Sequence, residues 1–291
     1  MVAKLAWMLW ALVPVAGLAY HFGPGQRPFN EDRAGDILAE ARSLQAQAES
    51  AQESAYGRHL ASLAARKAAL TSKSPDDEQR AKAAAAEEDE AYRVAAQAWS
   101  ATADKLHEAQ EILGASDSEK ASTVRVARAR ALIRSGKIVD GVSDLEALVE
   151  SLAEAGKAES DLAHEAREEL ATGYYYGARL MRLAGKPTQE WREVSGWARQ
   201  NFRYLAEAGQ QSSDAGEKAR ADDIQKNLEL VLNLEQSEQE DLLARPLPKN
   251  SPRGSCDGLG NCKGKGKTKR PPQGKKDARG AGGVGDVDGG W

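Results

Sequence analysis

The chain has 291 residues, of which 41% are hydrophobic, 29% charged and only 5% aromatic, a composition that favours long helices and excludes a deep mixed core. Its net charge of −4 conceals two regions of opposite sign: the residues from Arg245 onwards carry +7 (11 Lys and Arg against 4 Asp and Glu), and the preceding residues carry −11. The only two cysteines lie in the basic region, so the fold of the acidic body does not depend on a disulfide.

The first predicted element is the apolar stretch from Leu5 to Phe22, which contains no Asp, Glu, Lys or Arg. Its apolar part is about sixteen residues long, shorter than the roughly twenty that cross a hydrocarbon core upright. Trp7, Trp10 and Tyr20 resemble the aromatic residues of a membrane interface and favour an uncleaved signal anchor. A cleaved signal peptide and a buried core helix are the alternatives.

The charge around this stretch predicts its orientation. Lys4 and the amino terminus carry positive charge at the start of this stretch, and positively charged flanks stay on the cytoplasmic side of the membrane. We therefore predict a single-pass protein of the cytoplasmic membrane, with residues 1–30 as anchor and linker and the body outside the cytoplasm. An exported soluble protein is the alternative if the segment is cleaved.

Residues 31–114 have the pattern of a long antiparallel helical hairpin. In the first helix, residues of a coiled-coil seam recur at alternating spacings of four and three and continue after a one-residue slip. The two runs are Ile37, Ala41, Leu44, Ala48, Ala51 and Ala55, and then Tyr56, Leu60, Leu63, Lys67 and Leu70. Ser74 and Pro75 predict the start of the second helix, which runs to about Leu113. Self-assembly through this hairpin, as a coiled-coil structural subunit, is an alternative function.

Shorter helices, most of them ended by a glycine, follow over residues 115–244. The last begins at a capping box formed by Asp214 and Glu217. The others are predicted over residues 118–135, 138–155, 160–185 and 188–209.

The segment ARALIRSGKIVDGVSDLEAL, residues 129–148, resembles a tetratricopeptide repeat. Residues of fitting size occupy seven motif positions, namely Ala129, Leu132, Gly136, Ile138, Gly141, Leu145 and Leu148. The helices over 160–185 and 188–209 are similar to a second unit. The resemblance covers about residues 115–235 and implies stacked helix pairs, a polar capping helix and a surface for a partner protein.

Aromatic and basic residues concentrate on the helices over 160–209. Successive helical residues point about 100° apart, so Tyr174, Tyr175 and Tyr176 cannot share a direction, and one or two of them are expected to face solvent or a groove. Aromatic and arginine side chains are favoured in binding surfaces. The predicted partner groove comprises Tyr174, Tyr175, Arg179, Arg182, Trp191, Trp197 and Tyr204.

Residues 245–291 are rich in Gly, Lys and Pro and are predicted to be disordered, because they cannot bury enough apolar surface to offset ordering entropy. Outside the cytoplasm, Cys256 and Cys262 could close a small disulfide loop or pair between chains. A polycation suited to anionic polymers or lipid headgroups is formed by Lys263, Lys265, Lys267, Lys269, Arg270, Lys275 and Lys276. Nucleic acid is not an expected partner, since the predicted topology places this tail outside the cytoplasm.

The sequence contains no recognisable catalytic motif, phosphate-binding loop or metal-ligand spacing, and its four histidines are isolated. We therefore predict an all-α, membrane-tethered, non-enzymatic scaffold that binds a partner protein and needs no cofactor.

Overall fold

The computed structural model describes residues 10, 12–18, 20, 26–114, 119–211, 213–238, 241–242 and 246–252. These residues are overwhelmingly helical and include no β-strand, as predicted. Residues 12–18 are helical, and seven longer helices follow within the described residues. They are α1 (Gln26–Ser72), α2 (Pro75–Leu113), α3 (Glu119–Arg134), α4 (Ile138–Glu154), α5 (Asp161–Leu183), α6 (Thr188–Gln211) and α7 (Ala215–Gln236).

Helices α1 and α2 form the predicted hairpin. They contain 47 and 39 residues, or about 70 and 60 Å of helix at 1.5 Å per residue. Pro75 occupies the start of α2, where its missing N–H costs no hydrogen bond. The predicted cap Ser74 has an extended backbone but makes no capping bond, whereas Ser72 Oγ donates to Asp77 Oδ2 over 2.5 Å. Helix α1 begins earlier than predicted, so Pro28 lies in its first turn, where proline is tolerated.

The predicted slip in the α1 seam is wrong. The buried residues keep the spacing of four and three past Ala55, through His59 and Ser62. Leu60 and Leu70, which the slip placed in the seam, are 41% and 79% exposed. The physical reason is that polar side chains occupy the seam. Its buried residues from Ile37 onwards are Ile37, Ala41, Ala48, Gln52, Ala55, His59 and Ser62.

The helices α3 to α6 begin and end within two residues of their predicted bounds, and α7 begins directly after the predicted cap Asp214. Gly136, Gly156 and Gly185 follow three of them with φ of 91°, 72° and 69°, a conformation that favours glycine. The prediction that Gly209 ends α6 is wrong. The helix continues to Gln211, and Gly209 packs so closely on α7 that a Cβ there would lie 2.9 Å from Ala221 Cβ.

Each helix from α3 to α7 packs on the next one in sequence, and α5 also contacts both α3 and α7. The main core therefore runs through this array; its buried side chains include Ile133, Leu145, Met181, Phe202 and Val231. A second cluster joins α1, α2 and α3 around Trp99, with Ile37, Leu106, Val124 and Leu132. The hairpin is thus packed onto the first helix of the array.

After α7 the chain returns to the hairpin. Leu242 packs in the array core, and residues 246–252, here named the strap, lie across α1 and α2. Leu247 of the strap is buried against Ala55 and Tyr92. The prediction of disorder from Arg245 onwards is therefore wrong for the strap, because hairpin side chains bury its leucine and bond its backbone. Arg245 and residues 253–291, which include Cys256, Cys262 and the predicted polycation from Lys263 to Lys276, lie outside the described residues.

The described part of the predicted membrane segment is exposed and apolar. Its large side chains are 57–74% exposed: Trp10, Leu12, Val13, Val15, Leu18 and Tyr20. Leu5, Trp7 and Phe22 lie outside the described residues. Among the helices that the structure describes, none is long and apolar enough to cross a membrane.

Candidate functional site

By their contacts, the seven residues of the predicted groove fall into four places, and four of the seven are buried: Tyr174, Tyr175, Arg179 and Trp191. Tyr174 and Trp197 form the first pair, with ring centroids 5.3 Å apart. The Tyr174 hydroxyl donates to Glu146 Oε1 of α4. Burial raises the pKa of Glu146, and the bond from Tyr174 only partly offsets this. This pair ties α4, α5 and α6 together.

Arg182 and Trp191 form the second pair, at the far end of α5. The guanidinium lies 4.8 Å from the Trp191 ring centroid, a cation–π distance. Arg182 also donates to the carbonyl oxygens of Leu234 and Ser237. A cation at the carboxyl end of a helix satisfies its last carbonyls and complements its dipole. The pair therefore fixes the end of α7 to α5 and α6.

Tyr204 stands alone at the third place, between α6 and the start of α5. Its hydroxyl donates to Glu159 Oε1 over 2.7 Å, and the Arg167 guanidinium lies 4.9 Å from its ring centroid. Burial first, and then the bond to Glu159, raise the pKa of Tyr204 to about 12. An adjacent cavity of about 80 Å³ is lined by residues of α5, α6 and α7, including His164.

The pKa of Tyr204 predicts a loss of stability in alkali. The unfolded phenol ionises near 10, whereas the folded one keeps its proton to about 12. Its contribution to stability is therefore complete below about pH 10 and is lost as the pH rises towards 12. The ultraviolet difference titration of the wild-type chain minus Tyr204→Phe should show one phenol with a midpoint near 12. A midpoint at the ordinary value would contradict both the burial of the Tyr204 phenol and its bond to Glu159.

Tyr175 and Arg179 lie at the fourth place, beside Tyr176, and all three are buried. No tyrosine of the triplet faces solvent, contrary to the expectation for one or two of them. The physical reason is the central position of α5, which contacts α3, α4, α6 and α7. Desolvation raises the pKa of both phenols and lowers that of the Arg179 guanidinium. Arg179 Nη2 donates to the Leu242 carbonyl over 3.4 Å, so the returning chain covers this place.

Charged side chains connect the alternate helices of the array. Arg130 of α3 contacts Glu169 over 2.6 Å and Glu165 over 2.8 Å, both on α5. Burial opposes the charge of Arg130, but the two carboxylates outweigh it and raise its pKa. Glu168 of α5 in turn contacts Arg220 of α7 over 2.7 Å. These pairs are placed to set the register of α3, α5 and α7.

The hairpin carries a site that the sequence did not indicate. His59 Nδ1 lies 2.7 Å from Glu88 Oε1, and His59 Nε2 accepts the Leu247 N–H over 3.0 Å. Gln52 Nε2 donates to the carbonyls of Lys249 and Ser251 over 3.1 and 3.2 Å. We use the name hairpin site for these three polar residues and the small cluster around Leu247: Gln52, His59 and Glu88, with Ala51, Ala55, Ala91, Tyr92 and Ala95. The spacing of the seam was the one indication in the sequence. Steps of four and three residues from Ala48 place Gln52 and His59 on the same side of α1 as Ala55.

Among the described residues, no group of three or more His, Cys, Asp and Glu side chains is placed to hold a metal ion. No protein-family model, curated protein sequence or solved structure matches this chain. Its function is therefore inferred from its own residues.

Proposed function

We propose that this chain is a membrane-tethered, non-enzymatic scaffold that holds a partner protein on the extracytoplasmic side of the cytoplasmic membrane. The observation that carries the proposal is the exposure of the large apolar side chains between Trp10 and Tyr20. Single exposed apolar residues are ordinary on a protein surface, but a continuous apolar stretch marks contact with lipid or protein. Its freedom from charge, its aromatic residues and the basic Lys4 before it favour lipid.

The packing of α3 to α7 supports the scaffold role and a tetratricopeptide-like array. Contacts of α5 with both α3 and α7 are those of stacked helix pairs, in which alternate helices line one face. Helix α7 buries a single stripe, Ala221, Ile224, Leu228, Val231 and Leu234, and leaves its other sides solvated. That one-sided pattern is typical of a capping helix. Stacked helical arrays commonly bind partner proteins on the face that alternate helices line.

The membrane tether is tested by flotation of the full chain with vesicles of phosphatidylethanolamine and phosphatidylglycerol. The wild-type chain should float with the vesicles, and the double variant Val13→Asp, Leu18→Asp should remain in the soluble fraction. Each introduced carboxylate costs about 3 kcal/mol in the apolar part of a bilayer.

The control is Leu70→Asp, which places one such carboxylate on an exposed leucine of the hairpin and should still float. Flotation of all three chains to the same extent would contradict the tether. Amino-terminal sequencing of the native chain distinguishes the tethered form from the exported form. The tethered chain should begin at Met1, whereas the mature exported chain would begin near Tyr20.

A second candidate, self-assembly through the hairpin, is favoured by the exposure of Leu60, Leu70 and Val94. Sedimentation of the full chain in detergent tests it. A monomer at high concentration would exclude it, whereas a dimer that Leu60→Glu dissociates would support it.

A further inference from the structure

The strap is held mainly through its backbone. The Leu247 N–H meets His59 Nε2, and the carbonyls of Lys249 and Ser251 both meet Gln52 Nε2. Three backbone groups of one short segment are thus bonded by two side chains of α1. The strap itself turns at 249–250, where the Ser251 N–H donates to the Pro248 carbonyl over 2.9 Å. Hydrogen bonds to backbone groups hold such a segment in place, and pockets for its side chains add selectivity.

The hairpin supplies these polar groups from positions that a helical seam normally fills with apolar residues. Gln52 and His59 are 3% and 5% exposed beneath the strap. Because Nε2 of His59 accepts a hydrogen bond, the ring proton is on Nδ1, which donates to Glu88. Glu88 therefore orients the ring so that its acceptor nitrogen faces the strap. Burial of polar side chains in the seam lowers the stability of the hairpin, and their hydrogen bonds to the strap backbone offset this loss.

The Leu247 side chain enters a recess that alanines leave open on the hairpin. Its neighbours are Ala51, Ala55, Ala91, Tyr92 and Ala95. Four residues with a single methyl group leave room for one branched side chain between α1 and α2. A leucine fits that recess, and a charged residue there would lose its hydration.

The prolines on either side of Leu247 match the same site. Proline has no backbone N–H, so Leu247 carries the only N–H donor of residues 246–248, and His59 accepts it. Proline also restricts φ, which lowers the entropy cost of holding the segment in one conformation. Lys249 Nζ lies 3.0 Å from Glu53 Oε1 at the exposed rim. An exposed pair adds little affinity but favours a basic residue at this position.

We propose that the hairpin site is a docking site for a short segment that has a leucine between two prolines and a lysine after them and that turns after the second proline, and that the strap fills it as an intramolecular ligand. A partner protein that carries such a segment binds by displacing the strap. Binding of a partner protein at this site rests on the proposed scaffold role, whereas docking of the strap on the hairpin site does not. Residues 243–245 are the short connection from Leu242, so the strap competes at a high effective concentration.

The first arm of the test uses the full wild-type chain and a synthetic peptide with the sequence of residues 245–252, RPLPKNSP. Hydrogen–deuterium exchange followed by mass spectrometry reports the protection of the strap amides. Excess peptide should raise deuterium uptake in the strap and leave α3 to α7 unchanged. A control peptide that carries aspartate in place of the leucine should have no effect.

The second arm measures binding of the fluorescently labelled peptide to three full-length variants. Leu247→Asp releases the strap and should bind the peptide at least tenfold more tightly than the wild-type chain. Adding Gln52→Ala to Leu247→Asp should reverse that gain, because the two carbonyl contacts are lost. Leu230→Asp, the same change at an exposed leucine of α7, should bind as the wild-type chain does.

Unchanged strap uptake with excess peptide, together with no tighter binding by Leu247→Asp, would overturn the proposal. A wild-type dimer that Leu247→Asp abolishes would also overturn it, because the strap would then dock on a second copy. Neither arm needs a membrane or a partner protein, so failure here is distinguishable from failure of the scaffold role.

Discussion

Replacing Trp99 by alanine is expected to lower the free energy of unfolding by about 3–5 kcal/mol. Trp99 is 1% exposed and lies in the cluster that joins α1, α2 and α3. Its indole also packs beneath Arg134 of α3, whose guanidinium lies 4.8 Å from the ring centroid. Truncation removes the largest buried side chain at the junction of hairpin and array and leaves a cavity that rigid helices cannot close.

Urea denaturation followed by far-ultraviolet circular dichroism measures this loss. Trp99→Phe is the matched variant, because it keeps an aromatic ring under Arg134 and should cost clearly less than the alanine. Leu70→Ala, at a 79% exposed position, should change the free energy by no more than about 0.5 kcal/mol. A loss for Trp99→Ala as small as that of Leu70→Ala would show that the hairpin does not pack on α3 as described.

Gly141→Ala is expected to lower the free energy of unfolding by about 1–3 kcal/mol. An added Cβ would lie 2.6 Å from the Ala129 carbonyl oxygen and 2.7 Å from Ile133 Cγ1. The first of these atoms belongs to the backbone of α3 and cannot rotate away. The helices α3 and α4 must therefore separate, although alanine is intrinsically the better helix former by about 1 kcal/mol.

Gly196→Ala is the matched control on α6. An added Cβ there has no heavy atom within 4 Å, so only the helix-propensity gain of up to about 1 kcal/mol applies. The two substitutions, identical in chemistry, should thus change the midpoint of urea unfolding in opposite directions. Shifts of the same sign would contradict the close approach of α3 and α4 at Gly141.

The helix boundaries were predictable because they depend on short-range chemistry. Pro75 at the start of α2 and Asp214, whose Oδ1 accepts the Glu217 N–H over 3.0 Å, act within one turn of the chain. Gly136 and Gly185 need only their own backbone angles to end a helix. Gly209 failed as a stop signal because its role is long-range packing against α7, which no local pattern reveals.

The course of the α1 seam past Ala55 and the burial of the tyrosine triplet did not follow from the pattern of apolar residues, for a related reason. A search for apolar residues passes over Gln52 and His59, whose burial depends on a segment almost two hundred residues away. Leu60 then offers a false continuation of the pattern. Tyr175 and Tyr176 point in different directions, as helical geometry requires, but another part of the protein packs against α5 in each of these directions. Amphipathic reasoning assumes one solvated face, and a central helix has none.

The strap shows the limit of compositional reasoning about disorder. Residues 245–291 contain too little apolar surface to fold alone, which remains true of them as an isolated segment. The seven residues of the strap are ordered because the hairpin supplies the missing partners, with a recess for Leu247 and acceptors and donors for its backbone. Composition describes what a segment can bury by itself and not what another element can bury for it.

Photo-crosslinking in native membranes tests whether the chain holds a partner protein at the membrane. A photoreactive residue replaces either Ala51, beside the strap, or the exposed Leu70, in the full-length Leu247→Asp chain. We expect one membrane-fraction partner to be linked from position 51 and not from position 70, through a peptide that contains a leucine between two prolines. The same products from both positions, or none from position 51, would contradict it.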